Sequence, residues 1–291
     1  MPVADRSPSP PTERVLAILG LLAADPERGY TLSEIAAGLE LSIATCHAIT
    51  SVLVEHGYLL RAGSSKSFTL GPALVTAGES AGRAIPAARI ARSMVPALAA
   101  ELGVETVASV VAEGTITVVE WAPGPGGAPV SAPGQRIPFD PPFGAVHAAW
   151  AADGVVEDWL SRAPAPTRPG LRALLATVRD RGFDVHRNDA AAELFRQALA
   201  QLGEGGLSDE AQRAVAVLQG ELAGASALPE RFDRRRRYGV NTISAAVLDH
   251  VGAPVLTLSL LFHRELTGRE VEEAGAALVN AARVDAYSRT A

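Results

Sequence analysis

One stretch, Thr31 to Leu70, constrains this chain more than any other: TLSEIAAGLELSIATCHAITSVLVEHGYLLRAGSSKSFTL. Its spacing predicts a helix, a tight turn, a second helix and a short two-stranded ribbon. Thr31 and Glu34 have the T-x-x-E spacing of a capping box, which satisfies exposed amides at a helix start. Ile35, Ala36 and Leu39 then share one face. Gly38, Glu40 and Leu41 end that helix, and Ser42 can cap the next. In the second helix Cys46, Ile49, Thr50 and Leu53 line one side at helical spacing. Ala44, Ala48, Ser51 and Glu55 point the other way, with Thr45 and His47 on the flanks. Gly57 stands where a left-handed C-cap ends a helix. Tyr58 to Arg61 and Phe68 to Leu70 can pair as strands around a wing at 62–67.

This is the pattern of a winged helix-turn-helix, a DNA-reading unit. A plain three-helix subdomain has the same apolar spacing; the strand-turn-strand directly after the second helix favours the winged reading. Small and hydroxyl side chains on the outward face suit close approach to a major groove. The expected DNA contacts are Ser42, Thr45, His47 and Ser51 on the helix, with Arg61 and Lys66 on the wing. Charge pulls the other way. The net charge is -6, and Lys66 is the single lysine. Within residues 1–80 five Arg and Lys face eight Asp and Glu. Basic patches usually drive DNA affinity. The expectation is therefore modest affinity that leans on dimerisation.

A length of 291 residues suits two domains with a sizeable core. No apolar run is long enough to cross a bilayer, and MPVADRSPSPPTE lacks the apolar core of a signal peptide. Residues 1–11 read as a short disordered arm. The single Cys46 cannot form an internal disulfide and lies on the apolar helix face, which fits core packing in a cytoplasmic protein.

Before the motif, Val15, Ile18, Leu19 and Leu22 make a helical stripe that can pack beneath it. After the wing, Pro72 and Pro86 each open an Ala-rich helical stretch, the first a linker at about 72–88. From Gly103 the period changes to that of strands. GVETVASVVA and TITVVEW form a hairpin around Glu113-Gly114, and GQRIPFD holds an extended piece. Helices follow at about 143–152, 154–161 and 169–181, then a short strand in GFDVHRND. Residues 190–226 have helical spacing, with Leu194, Ala198, Leu199 and Leu202, then Val215, Leu218 and Leu222. VNTISAAVLD and APVLTLSLLF are two buried strands, and Thr267 with Glu270 caps a last helix. The fold class is α+β: a winged helix-turn-helix at 12–71, then at 89–291 an antiparallel sheet flanked by helices, GAF-like, with a helical insertion at about 188–237.

The ordered set ERVLAIL, TLSEIAAGL, T-C-H, HGYL and F-T-L-G resembles the head of the IclR family of bacterial transcription regulators. PALAAELGVETVASVVAEGTITVVEW, GQRIPFD, RDRGFDVHRND, ISAAVLDHVGAPVLTLSL and LTGREVEEAGAALVNAA follow in that family's order. The resemblance implies a homodimer or homotetramer that binds double-stranded DNA at a palindromic operator under the control of a small organic acid. It implies an effector site at Phe143, Gly144, His186, Thr242 and Ser259. The chain departs from the family where Ala48 replaces a common Arg, where DPPFGAVHAA brings bulky Phe143 to a helix start usually made of small residues, and at His186, Thr242 and the insertion.

No Walker A, G-x-G-x-x-G, G-x-S-x-G or metal-spaced Cys/His set occurs, so neither an enzyme nor a cofactor or metal is expected. His47, His56, His147, His186, His250 and His263 are scattered. His147 and His186 could meet, but such a pair is more often hydrogen-bonded structure. Arg234 to Arg237 read as an exposed turn, with contact to DNA or an acidic partner as the alternative. The rival to a regulator is a small-molecule binding module whose head has lost operator specificity, motivated by Ala48 and the low basic charge.

Overall fold

A computed structural model describes residues 9–63, 65–125, 131, 133–188, 229 and 231–287, with the side chains of 284–287 set aside. The chain divides into two compact units with a boundary between Ala84 and Ile85. Most of the insertion expected at about 188–237 lies outside the described residues.

The first unit runs α1 (Pro10–Ala24), β1 (Tyr30–Thr31), α2 (Leu32–Gly38), α3 (Ile43–Glu55), β2 (Leu59–Arg61), β3 (Ser67–Leu70) and α4 (Pro72–Ala84). Its core joins Ile18 and Leu22 of α1, Ile35 and Ala36 of α2, and Cys46 and Leu53 of α3 to Leu59 and Phe68 of the ribbon. These are the residues whose spacing predicted amphipathic helices. Thr50 also lies in this interior, its hydroxyl donating to the Cys46 carbonyl at 2.8 Å. The capping box is complete: Glu34 N–H donates to Thr31 Oγ1 and Thr31 N–H to Glu34 Oε2 at 2.8 Å. Those bonds from Thr31, then Arg28 at 2.8 Å, hold the Glu34 carboxyl down at about 2. After α3, Gly57 takes φ 73° and Tyr58 N–H returns to the Leu53 carbonyl, closing the helix end. The ribbon has three strands in the order β1-β3-β2, because Tyr30 and Thr31 pair with Phe68 and Ser67.

The second unit holds α5 (Pro86–Leu102), β4 (Glu105–Ala112), β5 (Thr115–Ala122), β6 (Arg136–Pro138), α6 (Ala145–Trp150), α7 (Asp153–Ser161), α8 (Arg168–Arg181), β7 (Asp184–Arg187), β8 (Arg237–Leu248), β9 (Pro254–Thr267) and α9 (Gly268–Tyr287). The strands form one antiparallel sheet in the order β6-β5-β4-β9-β8-β7. One face is apolar from end to end: Ala108, Ile243, Ala245, Val247, Leu256, Leu258 and Leu260 pack on Ile90, Val95 and Leu98 of α5 and Val271 and Leu278 of α9. On the other face a second core gathers Ile116, Phe139, Phe143, Val146, Trp159, Leu171 and Leu175, with Ala246 and Val111 against it. Thus α6, α7 and α8 cover only part of that face. What remains carries polar side chains and a small apolar group, Val107, Val118 and Leu261 beside Trp121. Among the described residues no single helix is long and apolar enough to cross a membrane.

Candidate nucleic-acid interface and effector site

In the first unit α3 is held by its buried side and by its start. Ser42 is the N-cap, accepting from Thr45 N–H at 3.1 Å, and its hydroxyl lies 2.8 Å from that of Thr45. Two of the three hydroxyls expected to meet DNA, those of Ser42 and Thr45, are therefore engaged in the cap, and Thr45 is half-buried. Ile43, Ala44, His47, Ala48 and Ser51 are exposed, with Ile43 at 51%. At the wing, Ala62 N–H donates to the Ser67 carbonyl and Lys66 N–H to the Ala62 carbonyl, closing a tight loop. Lys66 holds φ 53° there, a left-handed conformation unusual for a lysine. Arg61 is exposed, its guanidinium 5.7 Å from the centre of the Phe68 ring. Two positive side chains thus stand on the wing, and α3 offers a short outward face beside them within the same unit.

In the second unit the strand register draws three of the five expected effector residues together. His186 pairs with Thr242 across β7 and β8. Thr242 pairs onward with Leu261, and Ser244 with Ser259, whose hydroxyls are 2.7 Å apart. Asp184 faces Ser244 across the other strand pair. Asp184 is only 2% exposed, and the His186 Nε2 lies 2.9 Å from its Oδ2. Burial alone would raise the Asp184 carboxyl. The His186 ring, the Arg181 guanidinium at 3.8 Å and the Val185 amide outweigh burial and hold the group below its ordinary value. One patch of sheet therefore presents an ionised acid, an imidazole and three hydroxyls. Asp184 and Ser244 were not anticipated. The signal for them was the period-2 alternation, which puts Asp184 on the face of His186 and Ser244 on that of Thr242.

Phe143 and Gly144 stand elsewhere. Phe143 is 8% exposed inside the second core, its amide donating to the Asp140 carbonyl and its carbonyl accepting from Trp159 Nε1 at 2.9 Å. It is a packing residue rather than a pocket wall. Gly144 has φ 76°, and a Cβ there would fall 2.5 Å from the Phe139 ring, so its role is conformational. The helix that follows is six residues long. His147 on that helix does not join His186. Burial pushes its imidazole down to about 4, and it meets Phe139 edge to face at 5.5 Å. A separate open cleft of about 220 Å³ is lined by Trp150, Arg179, Arg181, Gly182, Leu248 and Arg283 and does not include the paired serines. No group of His, Cys, Asp and Glu among the described residues is arranged to hold a metal ion.

Comparison with known proteins finds a family match in the first unit and fold likeness over most of the chain. Residues 11–63 match the IclR helix-turn-helix domain. No curated protein matches the sequence. Among solved structures, an IclR transcriptional regulator from Alicyclobacillus acidocaldarius is 19% identical, with a TM-score of 0.62 over 96% of this chain and 98% of that one. The IclR of Thermotoga maritima is 17% identical, with a TM-score of 0.63 over 95% of this chain and 98% of that one. An IclR homolog from Microbacterium hydrocarbonoxydans, complexed with 4-hydroxybenzoate, is 16% identical with a TM-score of 0.59, covering 96% of this chain and 99% of that one. At these identities the likeness is one of fold.

Proposed function

We propose that this chain, with an IclR helix-turn-helix domain as its head and the fold of IclR regulators over nearly its whole length, is a transcription regulator whose operator binding responds to a small organic acid. The match of residues 11–63 to that domain carries the reading. The exposed side of α3 enters a major groove, where His47 and Ser51 meet base edges, and Ser42 and Thr45 hold the helix start against the backbone. Arg61 and Lys66 of the wing contact phosphates. A homodimer or homotetramer reads two half-sites of a palindrome, which multiplies the modest affinity of one acidic chain. The single buried Cys46 fits the reducing cytoplasm in which such a protein works. No catalytic group is assigned.

For the effector, the patch of His186, Thr242, Ser244 and Ser259 supplies hydroxyl and imidazole partners, while Val107, Leu261 and Trp121 offer an apolar flank on the same side of the sheet. That combination suits a ring or branched body bearing a carboxylate or hydroxyl, and 4-hydroxybenzoate, held by the Microbacterium fold relative, is the first compound to try. The experiment is enrichment of random duplexes by the purified protein, then release of the selected duplex by carboxylates that raise its melting temperature. A bound carboxylate whose affinity is unchanged in both Ser259→Ala and His186→Ala would place the effector site elsewhere. Recovery of no preferred duplex would favour a binding module with a degenerate head, a reading that Ala48 and the negative charge keep in play.

A further inference from the structure

We infer that the recognition helix reads its half-site through the 5-methyl groups of thymine, packed against Ile43, Ala44 and Ala48, and not through paired hydrogen bonds to base edges. The inference rests on the DNA-binding reading above and deepens it by naming what α3 recognises. Bidentate readout of guanine or adenine needs Arg, Lys, Asn or Gln. The sequence of α3, IATCHAITSVLVE, contains none of these four. The hydroxyls at its start do not replace them, because Ser42 and Thr45 bond each other and close the helix cap. Thr50 is buried and bonded to its own helix. Only His47 and Ser51 remain as exposed polar groups on the first three turns.

The apolar side chains, in contrast, are placed for contact. Ile43 opens α3 and leaves 51% of its surface exposed, though a branched side chain at a helix start could have folded onto the core. Ala44 and Ala48 are four residues apart, so they share one exposed face and keep it low enough for close approach. In helix-turn-helix docking it is the N-terminal part of the second helix that meets base edges. Thymine is the one base with an apolar group in the major groove, and Ala is among the side chains that pack on it.

The test uses the full chain and the duplex it selects from random DNA. Uracil replaces thymine one position at a time, which removes the methyl and leaves every hydrogen bond of the pair. At one or more positions in each half-site the dissociation constant rises about fourfold, the worth of one buried methyl-sized group. In Ile43→Ala the penalty shrinks to less than twofold at the thymine beside Ile43, while the melting temperature stays put because the side chain is half exposed. A selected duplex in which every thymine tolerates uracil overturns the inference and leaves the regulator reading standing. Failure to select any duplex overturns both.

Discussion

Lys66 sits at the tip of the wing with φ 53°, a conformation that costs a non-glycine residue about 1–2 kcal/mol. Glycine adopts it freely but gives up about 0.5–1 kcal/mol of chain entropy. The difference predicts that Lys66→Gly leaves stability unchanged or raises it by up to about 1.5 kcal/mol, read as the denaturation midpoint. The same change removes a wing charge, so it weakens binding to every duplex and lowers the slope of log affinity against log salt by about 0.9. Opposite signs in the two assays separate a residue kept for DNA from one kept for folding; parallel losses would mark Lys66 as structural. His147 carries a second residue-scale prediction. Burial holds its imidazole at about 4, below the unfolded value of about 6.5. Between those values the unfolded chain binds more protons than the folded one, so the His147 contribution is complete above about pH 6.5 and is lost as pH falls toward 4. Melting temperatures of His147→Gln and the parent chain, compared from pH 7 to pH 4, should converge at the acidic end. A constant gap between the two curves would assign the acid sensitivity to other groups.

At the scale of an element, α3 depends on Ser42 for its start, and that dependence separates folding from recognition. Ser42→Ala removes the cap and costs about 1 kcal/mol. Ser42→Asp keeps a capping oxygen and adds a charge that favours the helix N-terminus. It also sets that charge beside the phosphates that α3 approaches. The expected result is full thermal stability in Ser42→Asp with DNA binding reduced at least about tenfold, against modest losses in both measurements for Ser42→Ala. Equal DNA binding in the aspartate variant would show that the helix start does not face the duplex. Helices with one buried apolar stripe, such as α3 and α8, were legible from the spacing of that stripe, and the hairpin at Glu113 and Gly114 was legible from its turn residues. β1 was not, because two residues carry no period; only its pairing with β3 makes it a strand. The start of α6 misled for a different reason. Phe143 has the size of a pocket wall, but sequence does not say which of two packed layers receives it, and Trp159, sixteen residues on, decides by bonding its carbonyl. The pairing of Ser244 with Ser259 likewise depends on a bulge in β9, where Phe262 and His263 together stand opposite Asn241, which no residue pattern announces.

At the scale of the molecule, the two units have separate interiors, and this has a measurable consequence. Among the described residues, the core of the first unit, centred on Ile18, Leu22, Ile35, Cys46 and Leu53, draws on none beyond Leu70. A fragment of residues 9–84 therefore has what it needs to fold alone. So small a domain buries a low fraction of its surface, so its stability should be only about 3–5 kcal/mol. The prediction is one cooperative melting transition for the fragment, at a lower temperature than the main transition of the complete chain. The fragment should also prefer the same duplex sequence as the complete chain, because α3 and the wing are intact. Its affinity should be weaker, since any dimer contacts made by the second unit are gone. A carboxylate that stabilises the complete chain should leave the fragment's melting temperature unmoved, because His186, Thr242, Ser244 and Ser259 all lie in the second unit. Calorimetry of both forms with and without that compound decides the matter. A fragment that melts without cooperativity would mean that the head depends on its partner unit for folding, and a fragment that responds to the compound would move the effector site into the head.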